Sequence, residues 1–145
     1  MKRIKLTENF YLDEFIHPEI YHRFQGNSKL YLSPNLVFLA QAIRTKYGKP
    51  ININTWATGG VRKNSGLRDY KNPLNGRLNR SRHYYGLCAD MVCHDIKDLQ
   101  NHINENLEFY HKLGLRVVEN FNHTPSWLHI SVEWTGSKEV KFINP

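Results

Sequence analysis

Two histidines and one aspartate, His83, Asp90 and His129, are the residues whose types suit a transition-metal site in this chain. Imidazole nitrogen and carboxylate oxygen are both donors that zinc accepts. Three protein ligands leave a fourth position for water, which is typical of a catalytic rather than a structural zinc site. The sequence therefore predicts a zinc ion held by these three residues.

The spacing between His83 and Asp90 requires the chain to turn back between them. A helix would separate these two residues by about 10.5 Å along its axis. An extended chain would separate them by roughly 23 Å, and neither distance lets two short side chains hold one ion. Gly86 can take the unusual dihedral angles that a turn needs. We therefore expect a loop that carries His83, a turn at Gly86 and a strand that carries Asp90.

His129 lies in a stretch in which apolar residues alternate with mostly polar ones, the pattern of a half-buried strand. The alternation predicts that His129 projects from the polar face, away from the core. The apolar face is expected to carry Leu128, Ile130, Val132 and Trp134, and the other face Trp127, His129, Ser131 and Glu133.

The first half of the chain should supply scaffold helices and one strand. Residues 12–16 have the apolar spacing of one helical turn, which Pro18 should end. Ser33 followed by Pro34 is a typical helix start, and Gly48 is a typical helix end. Residues 51–54 alternate as a half-buried strand.

A long loop should connect this first half to the metal-binding stretch. It runs from about residue 56 to residue 82, and connections of that length in compact domains tend to be functional. Its second part is rich in residues that favour turns. These are Asn72, Pro73, Asn75, Gly76 and Asn79.

After Asp90 the pattern returns to regular elements. Asp95 can cap a helix that ends before Gly114, with an apolar stripe at helical spacing. Residues 115–118 and 140–143 are each expected to form a short strand. The expected architecture is one α+β domain over residues 1–145, with helices packed on one side of a small antiparallel sheet.

Composition places the chain among soluble globular domains. Its 145 residues are enough for one core, 40% are hydrophobic, and no run approaches the 18 apolar residues of a membrane span. The basic N-terminus lacks the apolar stretch of a signal peptide, so we expect synthesis in the cytoplasm and export only with outside help. The net charge of +7 suggests an anionic partner, either nucleic acid or a wall polymer, although the charge could serve solubility alone.

The two cysteines, Cys88 and Cys93, are expected to be unpaired. They are five residues apart in a predicted strand and therefore lie on opposite faces, poorly placed for a disulfide. Cys88 shares the strand face of Asp90, so it could act as a metal ligand, although a small buried thiol is its commoner role.

The order of these motifs resembles one family of enzymes. The pattern Ser81-x-His83-x-x-Gly86-x-x-x-Asp90, followed downstream by Trp127-x-His129, resembles the zinc D-Ala-D-Ala carboxypeptidases and L-Ala-D-Glu endopeptidases. Phage endolysins belong to that family, and the hedgehog signalling domain shares its fold. The segments Ile53-Asn54-x-Trp56, Gly59-Gly60 and Ser65-Gly66-Leu67-Arg68 are similar to the phage-associated branch, so the resemblance covers roughly residues 10–134.

The resemblance implies roles for individual residues. His83, Asp90 and His129 would be the zinc ligands, and Arg68 would contact the substrate and stabilise the transition state. Ser81 would be a substrate-contacting or supporting hydroxyl.

Two positions of this chain depart from the family pattern. Ser126 stands where the carboxypeptidases commonly have a catalytic glutamate, and Glu119 matches the more upstream glutamate of the phage-like branch. Cys88 stands where the family usually has alanine.

The implied activity is zinc-dependent hydrolysis of peptidoglycan stem peptides. Zinc would lower the pKa of a water molecule to about 7, and Glu119 would transfer the proton from that water to the leaving amine. Glu133 is the weaker candidate because it lies about 13 Å along the strand from His129. We expect Trp127 either to line the substrate groove or to pack beneath a loop. The protein would act on the wall after release or as part of a phage particle, as a carboxypeptidase or an endopeptidase.

Two other interpretations stay open at this point. A non-enzymatic basic module could use interleaved basic and aromatic residues to contact nucleic acid or a partner protein; these are Arg77, Arg80, Arg82, Tyr84 and Tyr85. Alternatively, a virion-associated domain could retain the zinc as a structural ion, since the glutamate is displaced from its commonest place.

Overall fold

The structure is a computed structural model that describes residues 3–71 and 81–145. The turn-forming residues named above between positions 72 and 79, and the basic residues Arg77 and Arg80, lie outside the described residues.

Helices form most of the first half of the chain. The α-helices are α1 (Leu12–Phe15), α2 (Pro18–Phe24), α3 (Pro34–Tyr47), α4 (Ile96–Glu105) and α5 (Leu107–Lys112), and 3₁₀ helices span Gln25–Tyr31, Trp56–Thr58 and Arg82–Tyr85. α3 begins and ends as predicted, since Pro34 is its first residue and Gly48 follows it in the left-handed conformation with φ 76°. α1 ends before Pro18 as expected, but Pro18 also opens α2.

The prediction of a single helix between Asp95 and Gly114 is wrong, because the chain forms two helices there, α4 and α5. The side chain of Asp95 does cap α4, accepting a hydrogen bond from the Asp98 backbone N–H at 3.0 Å. Asn106 separates α4 from α5 with φ −122° and ψ 23°. Its side-chain amide donates to the His102 carbonyl at 2.8 Å. That carbonyl is the acceptor that the Asn106 backbone N–H would use in a continuous α-helix, so the side chain replaces this backbone bond.

Four strands within the described residues form one sheet: β1 (Cys88–Met91), β2 (Val117–Glu119), β3 (Leu128–Ser131) and β4 (Lys141–Ile143). Their order is β1-β3-β2-β4. β3 pairs antiparallel with β1 and β2, but β2 and β4 are parallel. The sheet is therefore mixed, and the expected antiparallel sheet is wrong. Both edges of β3 are already occupied, so β4 adds to the free edge of β2, where it runs parallel.

The two faces of this sheet have different roles. On one face, Ala89, Ile130 and Val118 lie side by side, are fully buried and join the hydrophobic core with residues of α1 to α4. The opposite face carries Asp90, His129 and Glu119 toward a cleft. The result is an α+β fold, as predicted. No helix among the described residues is long and apolar enough to cross a membrane.

Two other local predictions are corrected. Residues 51–54 form a single bridge between Asn52 and Val92 rather than a strand, because the backbone N–H of Asn54 turns away to the Glu14 carbonyl. Trp134, expected on the core-facing side, is 75% exposed. β3 ends at Ser131, so the alternation of faces does not continue to Trp134.

Candidate metal centre

Strand pairing brings two of the three predicted ligands together. Asp90 and His129 are directly opposite each other across β1 and β3. Asp90 Oδ1 lies 2.7 Å from His129 Nδ1 and 3.3 Å from His83 Nε2. All three residues are buried, with at most 9% of their surface exposed. One carboxylate oxygen is thus shared by two imidazole nitrogens from remote parts of the chain.

His83 reaches this position from a short 3₁₀ helix, Arg82–Tyr85, that precedes β1. Ser81 caps this helix, since its hydroxyl accepts a bond from the His83 backbone N–H. The predicted turn at Gly86 is confirmed, with φ 66°. A side chain there would place its Cβ 2.0 Å from the Tyr31 carbonyl oxygen, so both the backbone angle and the packing require glycine.

A backbone carbonyl fixes which nitrogen of His83 faces Asp90. His83 Nδ1 lies 2.8 Å from the Gly66 carbonyl oxygen. A carbonyl only accepts, so Nδ1 donates in this contact and Nε2 is the ring nitrogen that faces Asp90. Nε2 lies 3.3 Å from Asp90 Oδ1. The same backbone contact orients histidine ligands in metal sites.

The charge of Asp90 is maintained despite its burial. Burial by itself raises the pKa of the Asp90 carboxyl, but the charges and hydrogen bonds of His83 and His129 outweigh burial, so its pKa lies below the ordinary value. Arg68 Nη2 also lies 3.4 Å from Asp90 Oδ2. Asp90 is therefore an ionised oxygen donor at neutral pH.

Within the described residues, ligand atoms close enough to share one metal ion form two groups, and neither group contains all three of His83, Asp90 and His129. In each group the nitrogen, oxygen or sulfur atoms lie within 4.8 Å of one another: His83, Cys88 and His129 in the first, and Asp90, Glu119 and His129 in the second. His129 belongs to both groups. Cys88 is a free thiol, and burial raises its pKa well above the ordinary value, so it is protonated at neutral pH without a metal. The donor set is one that can hold a transition metal.

Glu119, predicted as the proton-transfer residue, lies at the end of β2 beside these ligands. Its Oε1 is 3.8 Å from His129 Nδ1. Its Oε2 accepts a hydrogen bond from the Trp127 indole N–H at 3.1 Å. Trp127, expected to contact substrate, thus also holds the carboxylate, which leaves Oε1 facing the ligand cluster.

A cleft of about 720 Å³ opens above this cluster. Arg68 is held there by its Nε bond to the Asn64 carbonyl at 2.8 Å and by a long contact of 3.5 Å to the Ser81 hydroxyl. Every residue predicted for the site lines this cleft: Arg68, Ser81, His83, Asp90, Glu119, Trp127 and His129. The structure therefore brings all of them together.

Several contributors were not foreseen from the sequence. The Gly66 carbonyl orients His83, and an ion pair between Arg82 and Glu133 joins the segment before β1 to the segment after β3. Gln100 of α4 donates to the carbonyls of Thr124 at 2.7 Å and Trp127 at 3.0 Å. No local pattern indicates such contacts, because their partners are far apart in the sequence.

No protein-family model, curated protein or solved structure matches this chain.

Proposed function

We propose that this protein is a zinc-dependent peptidase that cleaves peptidoglycan stem peptides. The observation that carries the proposal is that Asp90 Oδ1 lies within 3.3 Å of one nitrogen of each of two histidines on the floor of a cleft. Two imidazoles and one carboxylate are the donor set of catalytic zinc sites that keep one open position. The hedgehog/DD-peptidase fold suggested by the motif order is part of the same proposal.

The three residues fit a zinc ion in their chemistry and orientation. His83 Nε2, Asp90 Oδ1 and His129 Nδ1 are the donor atoms that face one another. When bound there, zinc would supply Lewis acidity and make a water-derived nucleophile available near neutral pH. The ring of His83 is already oriented by Gly66, so little rearrangement is needed for binding.

Glu119 is the proton carrier in this proposal. The Trp127 indole fixes one carboxylate oxygen, and the other faces the ligand cluster. A carboxylate in this position can accept a proton from the attacking water and pass it to the leaving amine. Glu133 is less suited to this role because its carboxylate is already paired with Arg82.

Arg68 is the electrostatic stabiliser. Its guanidinium is largely buried, with 18% of the side chain exposed, and it lines the same cleft. A fixed cationic donor next to the scissile carbonyl would offset the charge that develops on its oxygen, an effect worth about 3 kcal/mol for one donor. Ser81, bonded to Arg68, would keep the guanidinium in place.

The substrate class rests on the resemblance together with the charge of the chain. A net charge of +7 favours contact with an anionic wall. The protein would be made in the cytoplasm and act on the wall after release or as part of a phage particle. Charge and the cleft would supply the targeting.

The test compares zinc-loaded wild type with Glu119→Gln and Glu139→Gln on outer-membrane-permeabilised bacterial cells. Glu139 is an exposed glutamate outside the cleft and is the matched control. We expect wild type and Glu139→Gln to clear turbidity equally and Glu119→Gln to be slower by 100-fold or more. Mass spectrometry of the released muropeptides would identify the bond that is cut. No clearing by wild type would overturn the proposal, and equal clearing by all three would remove Glu119 from the mechanism.

A structural zinc is the second candidate, and the position of Cys88 favours it. The thiol lies close enough to His83 and His129 to share an ion with them. Together with Asp90 it would complete four protein ligands, which is a closed site without a position for water. The metal content of a Cys88→Ala variant separates the two candidates.

A further inference from the structure

The strand register defines two rows of side chains on the floor of the cleft. The first row crosses the sheet in the order Asp90, His129, Glu119 and Ile143. Asp90 is opposite His129 at one end of this row, and Glu119 is opposite Ile143 at the other end. In the second row, Val117 is opposite both Ser131 and Lys141. Ser131 and Lys141 are each two residues along their strands from the first row, which places the second row about 7 Å from the metal-ligand row.

Lys141 differs from the other cations of this cleft. Arg68 is held by Asn64 and Asp90, and Arg82 is paired with Glu133. Within the described part of the chain, the Lys141 ammonium has no hydrogen bond or ion pair, although its backbone is fixed by the pairing of β4 with β2. It is exposed at the cleft wall. A flexible stem on a fixed strand suits the capture of an incoming anion.

The charges of the cleft indicate what that anion is. Glu133 is neutralised by Arg82, and Asp90 is surrounded by His83, His129 and Arg68. Lys141 is therefore the cation of the distal row that remains available to an incoming anion. Because β4 lies two strands from β3, Lys141 is about 10 Å across the sheet and about 7 Å along it from His129, which is roughly 12 Å or three to four residues of extended chain. Stem peptides carry free carboxylates at that kind of distance, on the glutamyl residue and at the C-terminus.

We propose that Lys141 binds a free carboxylate of the peptide substrate and so determines which peptides are accepted. This inference rests on the proposed peptidase function and adds to it the requirement for an anionic group roughly 12 Å from the metal-ligand residue His129. The glutamyl α-carboxylate and the terminal carboxylate share the required chemistry, and amidation of one at a time distinguishes them.

The experiment uses the zinc-loaded protein and three synthetic peptides. They are L-Ala-γ-D-Glu-L-Lys-D-Ala-D-Ala, its analogue with a carboxamide at the glutamyl α-carbon, and its analogue with a C-terminal carboxamide. Both kcat/KM for cleavage and Kd for binding are measured for wild type, Lys141→Met, Lys141→Arg and Lys138→Met. Lys138 is exposed and lies outside the cleft. Lys138→Met is therefore the control, because it removes one positive charge without changing the cleft.

We expect wild type and Lys138→Met to prefer the unmodified peptide over one of the amides by about tenfold, the scale of a hydrogen bond to a charged group. Lys141→Met should bring that ratio close to one, and Lys141→Arg should restore most of it. The amide that shows the preference identifies the carboxylate. A wild type that is indifferent to both amides, or a ratio unchanged in Lys141→Met, would overturn the inference.

The two measurements keep this inference separate from the proposed function. Cleavage with a ratio that does not depend on Lys141 would overturn the carboxylate site and leave the peptidase. Binding with a preference that depends on Lys141 but without cleavage would support the carboxylate site and overturn the peptidase. Neither binding nor cleavage of any peptide would overturn both.

Discussion

Asp90 and His129 are direct partners across the pairing of β1 with β3, and their side chains meet with 2.7 Å between Asp90 Oδ1 and His129 Nδ1. Backbone hydrogen bonds of the sheet therefore fix two candidate ligands before any metal is present. His83 arrives from a short 3₁₀ helix and depends on the turn at Gly86 and on the Gly66 carbonyl. The site therefore combines a rigid pair with one ligand positioned by a loop.

The turn at Gly86 should be far more sensitive to substitution than an equivalent turn elsewhere. Gly86→Ala forces a left-handed residue with φ 66° to carry a Cβ that would lie 2.0 Å from the Tyr31 carbonyl oxygen. Gly136→Ala is the matched control, because its φ is 70° but nothing lies within 4 Å of the added carbon. We expect urea unfolding to show a loss of about 1 kcal/mol for the control, the cost of the backbone angle alone. Gly86→Ala should lose at least twice as much, and equal losses would contradict the packing argument.

The Trp127 indole should matter for catalysis through its hydrogen bond to Glu119. Trp127→Phe keeps an aromatic ring but removes the N–H that donates to Glu119 Oε2 at 3.1 Å. We expect kcat on stem peptides to fall about tenfold, the scale of one hydrogen bond to a charged group, with zinc content unchanged. Trp134→Phe is the control, since the Trp134 indole N–H makes no hydrogen bond within the described residues. Equal kcat for both variants would rule out this role for Trp127.

Cys88 should not be a metal ligand. Asp90 already offers an ionised oxygen within 3.3 Å of one nitrogen of each histidine, so the ion can be held without the thiol. Cys88→Ala should therefore retain about one zinc per chain by elemental analysis and keep its activity. Loss of zinc from this variant would favour the closed structural site instead. Cobalt substitution gives a second check, because a sulfur-to-cobalt charge-transfer band would appear only if the thiol binds the metal.

Glu14 should make stability depend on pH in the mildly acidic range. Burial raises its pKa to about 6 from the ordinary 4.5. The folded protein therefore holds this proton more tightly than the unfolded chain does. The resulting stabilisation is full below about pH 4.5 and is lost as the pH rises through 6. Glu14→Gln lacks this loss, so its free energy of unfolding relative to wild type should increase between pH 4.5 and 7.

Urea titrations at several pH values measure this effect. Glu8→Gln is the control, because Glu8 is exposed on the same part of the chain. The same pH dependence for the two variants would show that Glu14 is not the group responsible.

Local patterns predicted the parts of the site that depend on local chemistry. The alternation around His129 gave its strand and the face from which it projects, because a two-residue period is set by the strand itself. The turn at Gly86 followed from the distance that two short ligands must span. The start of α3 at Pro34, its end at Gly48 and the Asp95 cap of α4 followed from the backbone needs of helix ends, although the predicted cap Ser33 makes no side-chain capping bond.

Contacts between remote segments could not be predicted in this way. The position of β4 beside β2 depends on both edges of β3 being occupied, which no stretch of sequence reveals alone. Asn52 forms an isolated bridge to Val92 and not a strand, because the backbone N–H of Asn54 donates to the Glu14 carbonyl. The closeness of Cys88 to the histidines likewise arises from the sheet register and the loop together.

X-ray diffraction at the zinc absorption edge, from crystals of the zinc-loaded protein, would show whether His83, Asp90 and His129 hold a single zinc ion. We predict one anomalous peak at about 2.0–2.2 Å from His83 Nε2, from His129 Nδ1 and from a carboxylate oxygen of Asp90. A folded protein without an anomalous peak at these atoms, or with its zinc held by other side chains, would contradict the account.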